Sequence, residues 1–298
     1  MKSPRRSNPH SAGRFRLLAA ASVLALAPAG THAAVQATHD GQMTSNQAPA
    51  DDADALAKKL ANPIAAMISV PFQNNFDWGG GPRGDGFQYK MNIQPVIPFH
   101  LNEDWNLITR TIIPVVQQDD VAGTYLRPSG SQFGLSDTLF SAWLSPVKPT
   151  SGGWIWGLGP ALLFPTGTDD MLTANQWAAG PTAIALKQDG KFTYGALANQ
   201  VWSYAGNGGR ASVNQTFFQP FFVYGPGGGW SFALNTESTY DWTGNQWTIP
   251  INLMANKVSK IGTLPVQWQA GVRYYADKPD NGPDWGLRFG FTLLLPEG

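Results

Sequence analysis

Residues 87–99 read Phe-Gln-Tyr-Lys-Met-Asn-Ile-Gln-Pro-Val-Ile-Pro-Phe. Every second residue from Phe87 is apolar, and the intervening residues as far as Gln94 are polar. Strict alternation predicts an extended strand with one apolar and one polar face. Aromatic rings at both ends of the apolar row are typical of a strand that crosses both interfaces of a bilayer, which takes roughly 9 to 11 tilted residues. The stretch therefore predicts one strand of a transmembrane β-barrel.

The same two-faced pattern recurs along the chain. The predicted strands are 68–78, 87–99, 105–115, 133–145, 154–166, 177–188, 192–203, 214–224, 230–242, 247–258, 265–276 and 285–295. An even number of strands fits a single-chain bacterial barrel with both termini in the periplasm. We therefore predict an all-β fold, a single antiparallel transmembrane β-barrel of about 12 strands over residues 67–298.

The composition excludes several other classes of protein. Lys plus Arg and Asp plus Glu number 20 each, and only 13% of the residues are charged. A nucleic-acid-binding protein would need a basic surface, so nucleic acid is not an expected partner. The sequence contains no Cys, which excludes disulfides and thiolate chemistry. Beyond the N-terminus no run approaches the roughly 20 apolar residues of a membrane helix, so a bilayer would be crossed by strands.

The N-terminal residues have the features of a targeting segment. Basic residues precede an apolar run at 17–27, and Thr31 and Ala33 are small residues at the right place for a cleavage site. This pattern predicts a secretory signal peptide at 1–33. A partly disordered lead is expected at 34–66, and the apolar residues in 51–66 have helical spacing. That helix would be a plug at the barrel mouth or a periplasmic tether, and the sequence leaves both open.

Tryptophans begin six of the predicted strands. Amphipathic indoles favour the headgroup level of a bilayer, so these residues are expected to form interface girdles. The six residues are Trp105, Trp154, Trp177, Trp230, Trp247 and Trp285.

Prolines interrupt several predicted strands. A proline cannot donate to the hydrogen-bond ladder and is normally confined to strand ends, edges or bulges. The residues concerned are Pro71, Pro95, Pro98, Pro114, Pro160, Pro220 and Pro250. They predict local bulges in the barrel wall or, alternatively, a sideways opening into the lipid.

Several phrases along the chain are similar to those of a known family. They include Val70-Pro71-Phe72-Gln73-Asn74-Asn75, Gly134-Leu135-Ser136-Asp137, Phe164-Pro165-Thr166-Gly167-Thr168-Asp169-Asp170, Asn199-Gln200-Val201-Trp202-Ser203 and Trp247-Thr248-Ile249-Pro250. In this order they resemble the bacterial outer-membrane β-barrel family labelled phenol-degradation MetA-pathway or transporter, often misnamed neuromedin U. The resemblance implies a barrel in the outer membrane of a Gram-negative bacterium and passive uptake of small compounds, with aromatic ones among the candidates. The resemblance supports the fold more strongly than it supports the function.

Polar residues on the inward face of the predicted strands are candidates for a selective lumen. Charges of both signs occur among them, and a barrel of about twelve strands should enclose a narrow or partly blocked pore. The arrangement would be a mixed-charge constriction or a salt-bridge network that stiffens the barrel. The lumen candidates are Lys90, Arg110, Glu237, Asp241, Arg273, Arg288, Asn92 and Gln94.

No catalytic residues are predicted. After signal-peptide cleavage only His39 and His100 remain, and neither falls where a general base near the outer leaflet would be needed. We therefore expect no enzyme activity, no cofactor and no metal site.

The predicted function is that of an outer-membrane channel or transporter for passive uptake of small molecules, with aromatic or apolar ones as the candidates. The alternative is a closed structural or surface-contact barrel with no transport role. Expected partners are the lipid bilayer, the outer-membrane assembly machinery and a small-molecule solute, and the sequence does not define an oligomeric state.

Overall fold

A computed structural model describes residues 48–295, with side chains from Asp52 onwards. The predicted signal peptide at 1–33 and the first part of the predicted lead lie outside the described residues. Within the described part of the chain there is one helix, α1 (Ala48–Leu60). It is too short and too polar to be a membrane-spanning helix.

Antiparallel strands make up the rest of the described fold. They are β1 (Ser69–Gly80), β2 (Gly86–Ile93), β3 (Val96–His100), β4 (Trp105–Asp119), β5 (Gly123–Thr124), β6 (Arg127–Pro128), β7 (Ser131–Leu135), β8 (Thr138–Pro146), β9 (Trp154–Phe164), β10 (Gln176–Asp189), β11 (Phe192–Gly206), β12 (Asn214–Gly227), β13 (Trp230–Thr236), β14 (Ser238–Asp241), β15 (Gln246–Ile261), β16 (Leu264–Asp277) and β17 (Trp285–Leu294). The short strands β5 and β6 form a separate hairpin in a loop.

The remaining fifteen strands form one closed sheet. Strand β1 pairs with β2 on one side and with β17, the last strand, on the other, so the sheet has no free edge. Three pairs of strands lie end to end, namely β2 with β3, β7 with β8 and β13 with β14, so that each pair crosses the barrel wall once. The wall is therefore crossed twelve times, and each crossing strand or pair of strands is called a stave below. The prediction of a single antiparallel β-barrel with twelve staves is confirmed.

The stretch 87–99 is not the single continuous strand that its alternation predicts. It divides into β2 and β3 at Gln94 and Pro95. Pro95 has no N–H for the ladder, but the neighbouring groups still find partners. The Gln94 N–H donates to Pro71 O at 2.9 Å, and the Thr111 N–H donates to Pro95 O at 3.1 Å. The wall therefore remains hydrogen-bonded at this proline, and the register with β1 and β4 does not shift across it.

The two-residue interruption leaves the faces of the stave unchanged. Lys90 lies opposite Asn75 on β1, and Val96 lies opposite Arg110 on β4. All four side chains point into the barrel. Because the side-chain period of a strand is two, skipping two residues keeps the inward set inward.

The outer surface of the barrel is apolar. At mid-height of three neighbouring strands, Leu234, Leu253 and Val272 lie side by side and are 47%, 56% and 53% exposed. Apolar surface left in water costs about 25 cal/mol per Å², and soluble monomers rarely expose contiguous apolar patches of this extent. This belt is the lipid-facing surface of a membrane barrel.

The six strand-start tryptophans lie at the two ends of this belt. Trp105, Trp154 and Trp230 begin strands at the periplasmic end, which carries the termini of the barrel, and the other three begin strands at the opposite end. All except the half-buried Trp105 are between 39% and 49% exposed. Their role as interface anchors stays a prediction.

The segment that precedes β1 turns into the barrel. Helical spacing predicted a helix over 51–66, but α1 ends at Leu60 because the Asn62-Pro63 pair disfavours helical backbone. The chain continues with Ile64, which is only 4% exposed and packs among inward-facing side chains of the barrel wall. The helix itself contacts β12, β13 and β15.

Candidate functional site in the barrel lumen

The inward faces of the staves divide the lumen into two unlike walls. On β1 and β2 the inward residues are mainly charged or amide side chains, and β16 and β17 add Gln267, Gln269, Arg273 and Arg288. On β8 to β12 they are mainly apolar, and the buried members of this wall are Trp143, Ala161, Ile184, Leu186, Leu197 and Val201. The lumen is therefore amphipathic across its width.

Arg288 and Glu237 form the centre of the charged wall. Arg288 Nη1 and Nη2 donate to the two carboxylate oxygens of Glu237 at 2.8 and 2.7 Å. Arg288 Nε donates to Asn75 Oδ1 at 2.7 Å. The Gln73 amide also contacts the guanidinium, and its oxygen must face Arg288 because a guanidinium only donates. Bidentate pairing of this kind is among the strongest side-chain interactions.

Glu237 occupies the interruption between β13 and β14. Its N–H donates to Pro250 O of the neighbouring strand at 3.3 Å, and Pro250 has no N–H to give in return. The ladder is therefore weakened at the residue that pairs with Arg288. An acidic residue opposite a proline of the neighbouring strand is a sequence pattern that would identify this position.

A second ion pair lies one layer further out. Arg273 Nη1 donates to Asp77 Oδ2 at 3.3 Å, and Arg273 Nη2 lies 4.0 Å from Glu237 Oε2. Gly286 stands between Asp77 and Arg273 in the strand register. A methyl group at Gly286 would overlap Asp77 Oδ1 and come within 2.7 Å of Phe76 O. The ion pair therefore depends on glycine at this position.

Arg110 is placed differently from the other luminal cations. Its guanidinium carbon lies 5.3 Å from the ring centroid of Trp143, which is fully buried. Trp143 Nε1 donates to Thr182 Oγ1 at 3.2 Å, and Thr182 Oγ1 donates to Ala198 O at 3.1 Å. These bonds hold the indole against the neighbouring strands β9 and β10, so that Arg110 lies over a fixed aromatic face.

The charge balance of this region is positive. Lys90, Arg110, Arg273 and Arg288 face two carboxylates, those of Asp77 and Glu237, and both carboxylates are engaged by Arg273 and Arg288. Among residues 52–295, no carboxylate lies within 4.0 Å of the Lys90 ammonium or the Arg110 guanidinium.

Three cavities lie in the lumen, and Arg110 lines two of them. One of about 210 Å³ lies between Arg110 and the apolar wall. Another of about 210 Å³ is bordered by Arg110, Gln73 and Gln94, and also by Pro63 of the inserted segment. A third, of about 140 Å³, lies between Pro63, Asn235 and Met254.

The structure brings most of the predicted lumen residues together. Arg273, Arg288 and Glu237 are in mutual contact, and Lys90, Arg110, Asn92 and Gln94 also face inward. Asp241 lies apart from this cluster, where its Oδ1 accepts from the Thr243 N–H at 2.9 Å and caps the turn after β14. The selectivity roles of all these residues stay predictions.

Sequence reasoning missed Trp143 and the apolar wall. Trp143 differs from the six predicted girdle residues because it does not begin a strand. Trp143 shares the inward side of β8 with Ser141 and Ser145, and this alternation with polar residues is the signal that would have identified a luminal indole.

A closed antiparallel barrel with an apolar outer belt and a charged lumen defines an integral β-barrel protein of the Gram-negative outer membrane. Residues 74–204 match the family described as "Putative MetA-pathway of phenol degradation". This match lies within the barrel and supports the resemblance of the chain to that family of outer-membrane barrels.

Solved structures with a similar fold include the COG4313 outer membrane channel from Pseudomonas putida F1. The TM-score is 0.59 at 18% identity, over 78% of this chain and 97% of that chain. Weaker matches are the KdgM porin in complex with disordered oligogalacturonate (TM-score 0.43, 8% identity, 76% and 99% covered) and the beta domain of the Bordetella autotransporter BrkA (TM-score 0.42, 12% identity, 77% and 100% covered). A search of curated proteins found no significant match.

Proposed function

We propose that this barrel is a passive channel for small molecules and not an enzyme. The observation that carries the proposal is the positively charged, cavity-containing lumen inside a closed outer-membrane barrel. Its charged groups contact each other across β1, β16, β17 and the β13–β14 break, where a solute that passes through the lumen would meet them. The residues in this region bind and orient ions and amides, and they include no histidine base.

We further propose that the segment before β1 is a plug and not a tether. Ile64 is buried in a cluster with Val96, Ile108 and Trp143, all of which face into the lumen. The preceding helix is held at the barrel mouth, because Asp54 accepts a hydrogen bond from the Gly229 N–H and Gln188 donates to Lys58 O at 2.7 Å. A tether would need no such contacts with the interior.

One observation favours the alternative of a closed structural barrel. The Arg288–Glu237 pair and its neighbours fill part of the lumen, and a hydrogen-bonded polar network stiffens the elements that it joins. A barrel of this kind would remain silent with or without the plug. The channel and structural proposals therefore differ in the outcome of one experiment.

The experiment is single-channel conductance in planar bilayers. The substitution Ile64→Asp places a charge in an apolar cluster, and the cost of burying it should release the segment from the lumen. We expect discrete conductance steps that are larger or more frequent than in the unsubstituted protein. Ala66→Asp, at an exposed position two residues away, is the matched control and should leave conductance unchanged.

Folding is checked by heat-modifiable gel mobility in every variant. Larger steps in Ile64→Asp alone would support both the channel and the plug. Equal steps in all three proteins would contradict the plug while supporting the channel. Silence in all three folded proteins would contradict the channel and favour the structural barrel.

A further inference from the structure

The cavity between Arg110 and the apolar wall has the properties of a ligand site. We propose that it binds a small organic anion, a monocarboxylate whose apolar body is the size of one six-membered ring. This inference rests on the proposed channel function and names the class of solute that the lumen favours.

The guanidinium of Arg110 supplies the anion-binding group. Its Nε is buried and has no hydrogen-bond partner among the described residues. Stacking on Trp143 uses the face of the guanidinium and leaves its edge free, and that edge has the fork geometry that matches a carboxylate. A buried donor without a partner is costly. A bound carboxylate that accepts from Arg110 would therefore be favoured over an empty, poorly hydrated site and over a bound neutral solute.

The surrounding charges favour an anion over a cation. The neighbouring carboxylates of Asp77 and Glu237 are held by Arg273 and Arg288, whereas Lys90 and Arg110 have no carboxylate within 4.0 Å among the described residues. The excess of positive charge lies inside a narrow barrel, where electrostatic interactions are stronger than in bulk water.

The shape and lining of the cavity determine the rest of the ligand. The volume is about 210 Å³, and an apolar protein cavity of about 150 Å³ is already large enough to bind benzene. The apolar lining residues are Ile112, Leu139, Leu163, Val201 and Phe217. One six-membered ring with a carboxylate therefore fits between this wall and Arg110.

Polar groups on the far side of the cavity allow the ligand to carry polar substituents. Asn199, Gln215 and Thr239 complete the lining, and the first two carry amides that can donate or accept. A hydroxyl or a second small polar substituent on the ring would find a partner there. A long alkyl chain would not fit, because the cavity is too small.

The test is direct binding of 4-fluorobenzoate to the folded, detergent-solubilised barrel, followed by ¹⁹F NMR titration. We expect saturable binding that weakens by about tenfold or more in Arg110→Gln, since the hydrogen bond between the guanidinium and the carboxylate is lost. Arg110→Lys should recover part of the affinity. Lys187→Gln, which removes a cation that pairs with Trp154 on the outer face, is the matched control and should bind as the unsubstituted protein does.

Two ligand comparisons test the chemistry of the solute. 4-Fluorobenzyl alcohol keeps the ring and loses the charge, and it should bind at least tenfold more weakly than 4-fluorobenzoate. Cyclohexanecarboxylate should displace 4-fluorobenzoate, whereas acetate, which lacks the apolar body, should not.

Unchanged binding in Arg110→Gln, the absence of saturable binding, or equal binding of the alcohol would each overturn the proposal. Displacement by acetate at the same concentration would overturn the requirement for an apolar body. The binding assay needs no conductance, so a silent barrel that binds 4-fluorobenzoate would contradict the channel and leave the site standing. A conducting barrel that does not bind 4-fluorobenzoate would support the channel and contradict the binding site.

Discussion

The Glu237 carboxylate holds two buried arginines, and its removal is predicted to destabilise the barrel strongly. In Glu237→Ala, Arg288 loses two hydrogen bonds of 2.8 and 2.7 Å, and Arg273 loses the carboxylate oxygen at 4.0 Å. The side chains of Arg288 and Arg273 are only 3% and 8% exposed, so water can replace little of what is lost.

The expected loss in the free energy of unfolding is about 3 kcal/mol. Removal of one partner of a buried ion pair costs about 3–5 kcal/mol, and the lower end applies because the lumen partly hydrates the pair. The side chain of Glu237 is 22% exposed. The assay is reversible urea unfolding of the barrel in lipid vesicles, followed by tryptophan fluorescence.

A double-mutant cycle separates this ion pair from general damage to the lumen. Removal of the charge on Arg288 as well, in Glu237→Ala with Arg288→Met, eliminates one of the unpaired cations and should recover part of the lost stability. The two single substitutions should therefore cost more in sum than the double substitution. Loss of less than about 0.5 kcal/mol in Glu237→Ala, the range of an ordinary surface substitution, would refute the reasoning.

Two further substitutions test the inner and outer faces. Gly286→Ala should destabilise the barrel by about 1–3 kcal/mol in the same unfolding assay, because the added methyl overlaps Asp77 Oδ1 and Phe76 O. The control is Gly208→Ala, where an added Cβ meets nothing within 4 Å. Equal effects of the two substitutions would contradict the requirement for glycine at position 286. Leu253→Arg, at the middle of β15 on the lipid-facing side, should lower the free energy of unfolding in lipid vesicles by about 2–4 kcal/mol. An unchanged free energy of unfolding would mean that Leu253 does not face the bilayer midplane.

The sequence by itself was sufficient for the direction of most side chains. Alternation is a local property with a period of two, so Lys90 and Asn92 could be assigned to the inside and Phe87 and Tyr89 to the outside before any pairing was known. The same pattern gave the number of staves, whereas the family resemblance came from short motifs along the chain. It failed locally where a proline intervened, as at Pro95, because alternation does not record whether an N–H is available for the ladder.

The tertiary structure decided which inward residues meet. Asp77 and Arg273 are 196 residues apart in sequence, and Arg288 and Glu237 are 51 apart. Both contacts depend on closure of β1 against β17 and on the stagger between strands, and local alternation specifies neither. The same stagger places Asp241 at a turn outside the cluster, although its sequence pattern is that of a luminal residue.

The sequence alone therefore determined a two-faced, twelve-stave membrane barrel, because the period of a strand and the hydrophobicity of its faces are written in neighbouring residues. Only the tertiary structure determined the paired arginines, the stacking of Arg110 on Trp143 and the insertion of Ile64 into the lumen. These contacts join residues from different staves, and the relative positions of the staves follow from closure of the whole sheet.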